Sequence, residues 1–160
     1  MSSIKQTKKT MQVVSAAVNS SYDYRHEFVT PEHLLLALMV EDDNFYHILN
    51  IFYDADSFIT EIEKHLAEIE SMPDEADYNP EFSVQMCELI DKSWEQVVFS
   101  SAEAIDIPHL AKAMLEQEES WAAYLLKKAL YGKESHFLTK LISIYDYDAQ
   151  LEKEKKQRSI

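Results

Sequence analysis

Residues 30–49 read TPEHLLLALMVEDDNFYHIL, and residues 106–125 read DIPHLAKAMLEQEESWAAYL. A shift of 76 residues lays one stretch on the other, with His33 on His109, Leu34 on Leu110, Ala37 on Ala113, Leu38 on Met114 and Leu49 on Leu125. The same shift works backward, where Met11, Val14 and Val18 fall on Cys87, Ile90 and Trp94. Residues three and four apart lie on one side of a helix, so these read as a buried helical stripe. It works forward as well, placing Ile62, Leu66 and Ile69 on Leu138, Ile142 and Tyr145. A register held that long without a gap points to duplication.

Each repeat has room for about four helices. Only one glycine occurs, and the prolines at 31, 73, 80 and 108 stand at plausible element boundaries. The spacing predicts helices near 4–22, 31–41, 44–52 and 55–70, then 82–101, 107–117, 120–130 and 134–148. The expected fold is therefore all-α, about eight helices in a pseudo-twofold duplication of a four-helix repeat. Repeat one spans about 4–70 and repeat two about 82–146, within one domain over residues 1–150. SMPDEADYNPEF (71–82) reads as an exposed join between the repeats, and LEKEKKQRSI (151–160) as a charged tail, a frayed helix end or a linker.

Composition narrows the function. The chain has 160 residues and a formal charge of −14, which repels phosphate backbones and argues against a nucleic-acid partner. The longest apolar run, LLLALMV (34–40), is far short of a membrane span. The N-terminal MSSIKQTKKT has no apolar signal-peptide core, so the expected location is the cytoplasm. With Gly132 as the sole glycine there is no phosphate-cradling loop and no dinucleotide fingerprint, and no nucleotide or other cofactor is expected.

Candidate chemistry gathers at YRHEFVTPEHLLLALM (24–39). Thr30 before Pro31 and Glu32 is helix-start chemistry, with a threonine cap, proline at the first helical position and an acid offsetting the dipole. Asp106, Ile107 and Pro108 repeat the signal. His33 and His109 then fall in first turns, where each is expected to hydrogen-bond neighbouring backbone. A metal or hydrolytic site built from His26, Glu27 and His33 would need histidines on one helical face. The spacing is H-E-x5-H rather than H-E-x-x-H, and Thr30-Pro31 interrupts it. Cys87 aligns with Met11 and reads as buried and inert. Acids such as Glu116, Glu118 and Glu119 read as a solvated loop. No catalytic residue and no metal ligand is assigned.

RHEFVTPEHLLLALM (25–39) resembles the N-terminal domain of the Clp (Hsp100) AAA+ unfoldases, most closely that of ClpA, whose pattern is R-H-E-F-x-T-x-E-H-L-L-L-A-L. A second block, Glu116 to Leu126, is similar to E-Q-E-S-x-A-A-Y-L-L with Glu119 inserted before Ser120. The resemblance covers roughly residues 4–145 and implies a mobile, non-catalytic domain above a hexameric ATPase ring. Such a domain docks adaptors and substrates that the ring unfolds and passes to the ClpP peptidase; in ClpA the adaptor is ClpS. It places Glu27 and Glu32 in the adaptor surface, as exposed neighbours. A third contact comes from a P-T-L-S-F stretch, which here reads NPEFSV (79–84) with Glu81 in the threonine position. The rival readings are a free-standing Clp-N-like adaptor-binding protein without an ATPase ring, and a small metal-dependent enzyme using the His/Glu cluster.

Overall fold

The computed structural model describes residues 4–158. Eight α-helices run in chain order as α1 (Lys8–Asp23), α2 (Pro31–Glu41), α3 (Asp43–Phe52), α4 (Ala55–Glu68), α5 (Val84–Ser100), α6 (Ile107–Glu116), α7 (Trp121–Leu130) and α8 (Glu134–Arg158). Two dipeptide strands complete the described residues, β1 (Phe28–Val29) and β2 (Glu81–Phe82).

Helix starts follow local chemistry. Thr7, Asp54, Ser83 and Ser120 each accept a backbone N–H from the first turn of the helix they precede. Thr30 and Asp106 form capping boxes in which a histidine stands where glutamate or glutamine is usual. His33 Nδ1 accepts the Thr30 N–H at 3.0 Å, and His109 Nδ1 accepts the Asp106 N–H at 2.9 Å. The backbone role expected of both histidines is what the structure shows.

The core is centred on α2, which is buried from Pro31 through Met39 without a break. It packs against α1, α4 and α3 of its own repeat and against α5 and α7 of the other. Between the repeats, Phe45 of α3 meets Phe137 of α8 edge to face at 5.5 Å, and Trp121 of α7 stacks on His65 of α4 at 3.8 Å. Phe45 and Trp121 are 76 residues apart and so are equivalent; each reaches the last helix of the other repeat, though their partners Phe137 and His65 are not themselves equivalent.

The duplication also governs the strands, which the helical reading missed. β1 pairs with β2 in parallel, Val29 standing against Phe82. Adding 76 to Val29 and subtracting it from Phe82 gives Ile105 and Gln6, which form the other parallel bridge. The hydrogen bond from Ser83 N–H to the Val29 carbonyl has its mate in Thr7 N–H to the Ile105 carbonyl, both at 3.0 Å. Each repeat thus borrows a strand partner from the other.

Two details correct the sequence reading. The buried stripe of α1 is Thr10, Val13, Ala17 and Ser21, and that of α5 is Met86, Leu89, Ser93 and Val97. These still match at 76 residues, one position before Met11/Cys87. On α1 the small Thr10, Ala17 and Ser21 face inward and the larger Met11 is half exposed; on α5 Met86 is buried and its neighbour Cys87 is exposed. The final helix also runs to Arg158, well past the expected end near 148, although Tyr145 is its last buried residue.

Candidate docking site

Helix α1 ends in a left-handed turn. Arg25 has φ 59°, its N–H bonds the Tyr22 carbonyl, and the His26 N–H reaches back to the Ser21 carbonyl. This Schellman-type closure reverses the chain and sends Glu27 into β1. The Glu27 carbonyl then accepts the Glu81 N–H at 3.1 Å. Two residues far apart in sequence therefore meet at one strand pair. Both carboxylates are exposed, beside Phe28 and Phe82, which are 41% and 39% exposed.

Glu32 does not join them. It is only 8% exposed, and its Oε2 accepts the Ala122 N–H at 3.2 Å. Burial pushes its carboxyl above the ordinary value, against the pull of the Ala122 amide and the Ser120 hydroxyl. The expected exposed pair of Glu27 and Glu32 is thus corrected. Glu32 sits on the fully surrounded helix α2 and caps the N-terminus of α7, tying the two repeats together. A signal for this existed in the sequence: LLLALMV (34–40) is apolar all round the helix and leaves no polar face for a first-turn acid to join.

Behind Glu27 lies a cleft of about 370 Å³, lined by His26, Phe28 and His33 on one side and by Ile69, Met72 and Pro73 on the other, with Glu27 and Glu70 among its charged residues. The two histidines form its polar inner surface. His33 Nδ1 is occupied by the Thr30 N–H, so its Nε2 carries the proton and donates to His26 Nδ1 across 2.8 Å. His26 Nε2, the remaining N–H, is buried without a hydrogen-bond partner. Burial and the neighbouring His26 lower His33 to about 4. Burial also lowers His26, partly countered by the Leu66 carbonyl. The pair is a neutral relay in which His33 serves the Thr30 backbone and His26, while His26 Nε2 is left without a hydrogen-bond partner. Among the described residues, no group of three or more His, Cys, Asp or Glu side chains is placed to hold a metal ion.

The opposite end of the pseudo-twofold lacks this character. Residues equivalent to Glu27, Phe28, Glu81 and Phe82 are Glu103, Ala104, Lys5 and Gln6. One end presents two acids and two aromatics. The other presents an acid, a base and no aromatic. The feature therefore occurs once per chain despite the duplication.

The family described as "Clp repeat (R) N-terminal domain" matches residues 5–129. The chain belongs to that family. Its fold is shared by solved Clp N-domains. The Hsp104 N-terminal domain from Candida albicans aligns at a TM-score of 0.71 with 17% identity, covering 88% of this chain and 91% of that one. The N-terminal domain of ClpV1 from the E. coli EAEC Sci1 type VI secretion system gives 0.72 with 20% identity, covering 89% and 86%. That of the chaperone ClpD from Arabidopsis thaliana gives 0.68 with 15% identity, covering 89% and 95%. No curated protein sequence matches the chain. The described residues include no helix long and apolar enough to cross a membrane.

Proposed function

We propose that this Clp N-domain serves a ClpA-like ATP-binding subunit in the cytoplasm as its docking module. It recruits a ClpS-like adaptor and protein substrates for unfolding by the AAA+ ring and degradation by ClpP, and performs no catalysis itself. The observation that carries this is the strand pair that brings exposed Glu27, Phe28, Glu81 and Phe82 together at one end only. Exposed carboxylates next to exposed aromatics suit a partner surface with basic residues around an apolar centre. Glu81, where the family has threonine, adds an acid to this surface and so favours a more basic partner.

Titration of purified ClpS against the domain tests the reading. Glu27→Ala with Glu81→Ala should weaken binding at least about tenfold, equivalent to ~1.4 kcal/mol. Glu63→Ala with Glu95→Ala, exposed on α4 and α5, should leave it unchanged. Wild-type affinity in the first double variant would place the docking surface elsewhere.

A further inference from the structure

The Arg25 side chain is spent on the segment that joins the repeats. Its guanidinium donates to the carbonyl of Pro73, and to that of Ala76 at 3.1 Å, and Nε reaches the Met72 carbonyl at 3.5 Å. It lies over the Tyr78 ring, 5.5 Å from the centroid, and pairs with Asp74 at 3.9 Å. The Arg25 carbonyl accepts the Met72 N–H, and the Ser71 hydroxyl donates to the Tyr24 carbonyl. Residues 71–78 are thus strapped to the end of α1. Ser71, Met72 and Pro73 of this strap form one wall of the cleft beside Glu27.

The backbone at Arg25 makes the choice of residue informative. A left-handed φ at a helix end is the place where glycine costs least. The equivalent position in repeat two, Ser101, has φ 61° and closes α5 with a short side chain. The turn therefore belongs to the fold, and it does not require arginine. What repeat one has in addition is a strap to hold, and a forked donor suits several carbonyls at once.

We propose that Arg25 is a positioning residue for docking. It latches strap 71–78 in place and so sets the wall of the cleft that a partner meets next to Glu27 and Glu81. This rests on the docking reading for its functional half, while the latch itself is measurable without any partner.

Arg25→Gly separates the alternatives, because glycine suits the turn and removes only the fork. Cleavage by an acid-specific protease at Asp74, Glu75 and Asp77, and hydrogen exchange at Ala76, should each speed up tenfold or more while the melting temperature stays close to wild type. Arg25→Lys, which keeps the charge and loses the fork, should speed cleavage nearly as much. ClpS binding should weaken about fivefold in Arg25→Gly. Electrostatics alone demands the opposite sign, since deleting a cation beside acidic residues strengthens attraction for a basic partner. Unchanged cleavage in Arg25→Gly, full rescue by lysine, or tighter ClpS binding would each overturn the proposal. If wild type itself does not bind ClpS, the adaptor assignment fails and the cleavage rates alone decide the latch.

Discussion

Glu27 and Glu32 stand five residues apart on either side of one helix start, yet they face opposite fates. Glu27 stands exposed just before β1; Glu32 enters a helix that has no exposed side over its first turns. Their substitutions should therefore separate stability from binding. Glu32→Ala removes a charged acceptor and leaves the Ala122 N–H buried without it. Its expected cost is about 1.5–3 kcal/mol, the range for losing a hydrogen bond to a charged group. Glu32→Gln, which keeps a carbonyl acceptor, should cost less than half of that. Glu27→Ala should change stability by less than about 0.5 kcal/mol, as for ordinary surface positions. Urea melts of the three variants check this. A Glu32→Ala protein as stable as wild type would mean the inter-repeat cap contributes nothing.

Among elements, α2 shows best how much was legible. Its bounds follow from Thr30, Pro31 and the leucine run, and the structure ends it at Glu41 as the spacing predicts. Helix starts are local, and local chemistry is written in sequence. The dipeptide strands were not legible, because two residues carry no periodicity and their partners lie in the other repeat. Cys87 was misplaced because two helical stripes one position apart compete, and periodicity alone does not choose between Cys87 and the equally apolar Met86, which is the one buried. The candidate docking site was half legible. The strand pair brings exposed Glu27 and Glu81 together, whereas Glu32, read as their exposed neighbour, is buried. The histidine at the third position of α2 gives this element a pH dependence. The folded protein keeps His33 neutral down to about pH 4, while the unfolded chain takes up that proton near 6.5. Within that window the unfolded state binds more protons, so stability falls as pH falls, and below it the loss levels off. The full effect is about 3 kcal/mol at the usual ~1.4 kcal/mol per pH unit. His33→Gln keeps an acceptor for the Thr30 N–H in the ordinary capping-box manner. The difference in stability between wild type and this variant should then shift by that amount between pH 7 and pH 4, measured by urea unfolding. Groups away from the pair cancel in the difference, while His26, hydrogen-bonded to His33, contributes to the shift together with it. A difference independent of pH would remove His33 from the relay. For α8, whose residues beyond Tyr145 are exposed, truncation after Asp148 should leave the melting temperature within a few degrees of wild type. Truncation before Tyr145, whose hydroxyl donates to the buried Asp42 carboxylate, should lower it markedly.

At the scale of the whole molecule, duplication raises the question of whether one repeat can fold alone. The contacts predict that it does not. Val29 of repeat one finds its strand partner at Phe82, and Ile105 of repeat two finds its own at Gln6. The N-terminus of α7 is capped by Glu32 from the other repeat, and Phe137 of α8 packs on Phe45 and Phe52 of α3. The Thr10 hydroxyl, buried on α1, donates to the Ile105 carbonyl at 2.9 Å. Half a chain would leave these groups without partners and expose the inward faces of α2 and α3. A fragment of roughly 80 residues has little core to spare for that. Fragments 1–76 and 77–160 should each show weak helicity and no cooperative melt. Mixed at equal concentration, they should regain helicity and a single transition, because the strand exchange re-forms across the nick in the exposed join. A fragment that folds alone with a cooperative melt would show that the repeats are independent units and that the crossed strands only decorate them. Recovery on mixing would show instead that the proposed docking end, which takes Glu27 from one repeat and Glu81 from the other, exists only when both halves are in place.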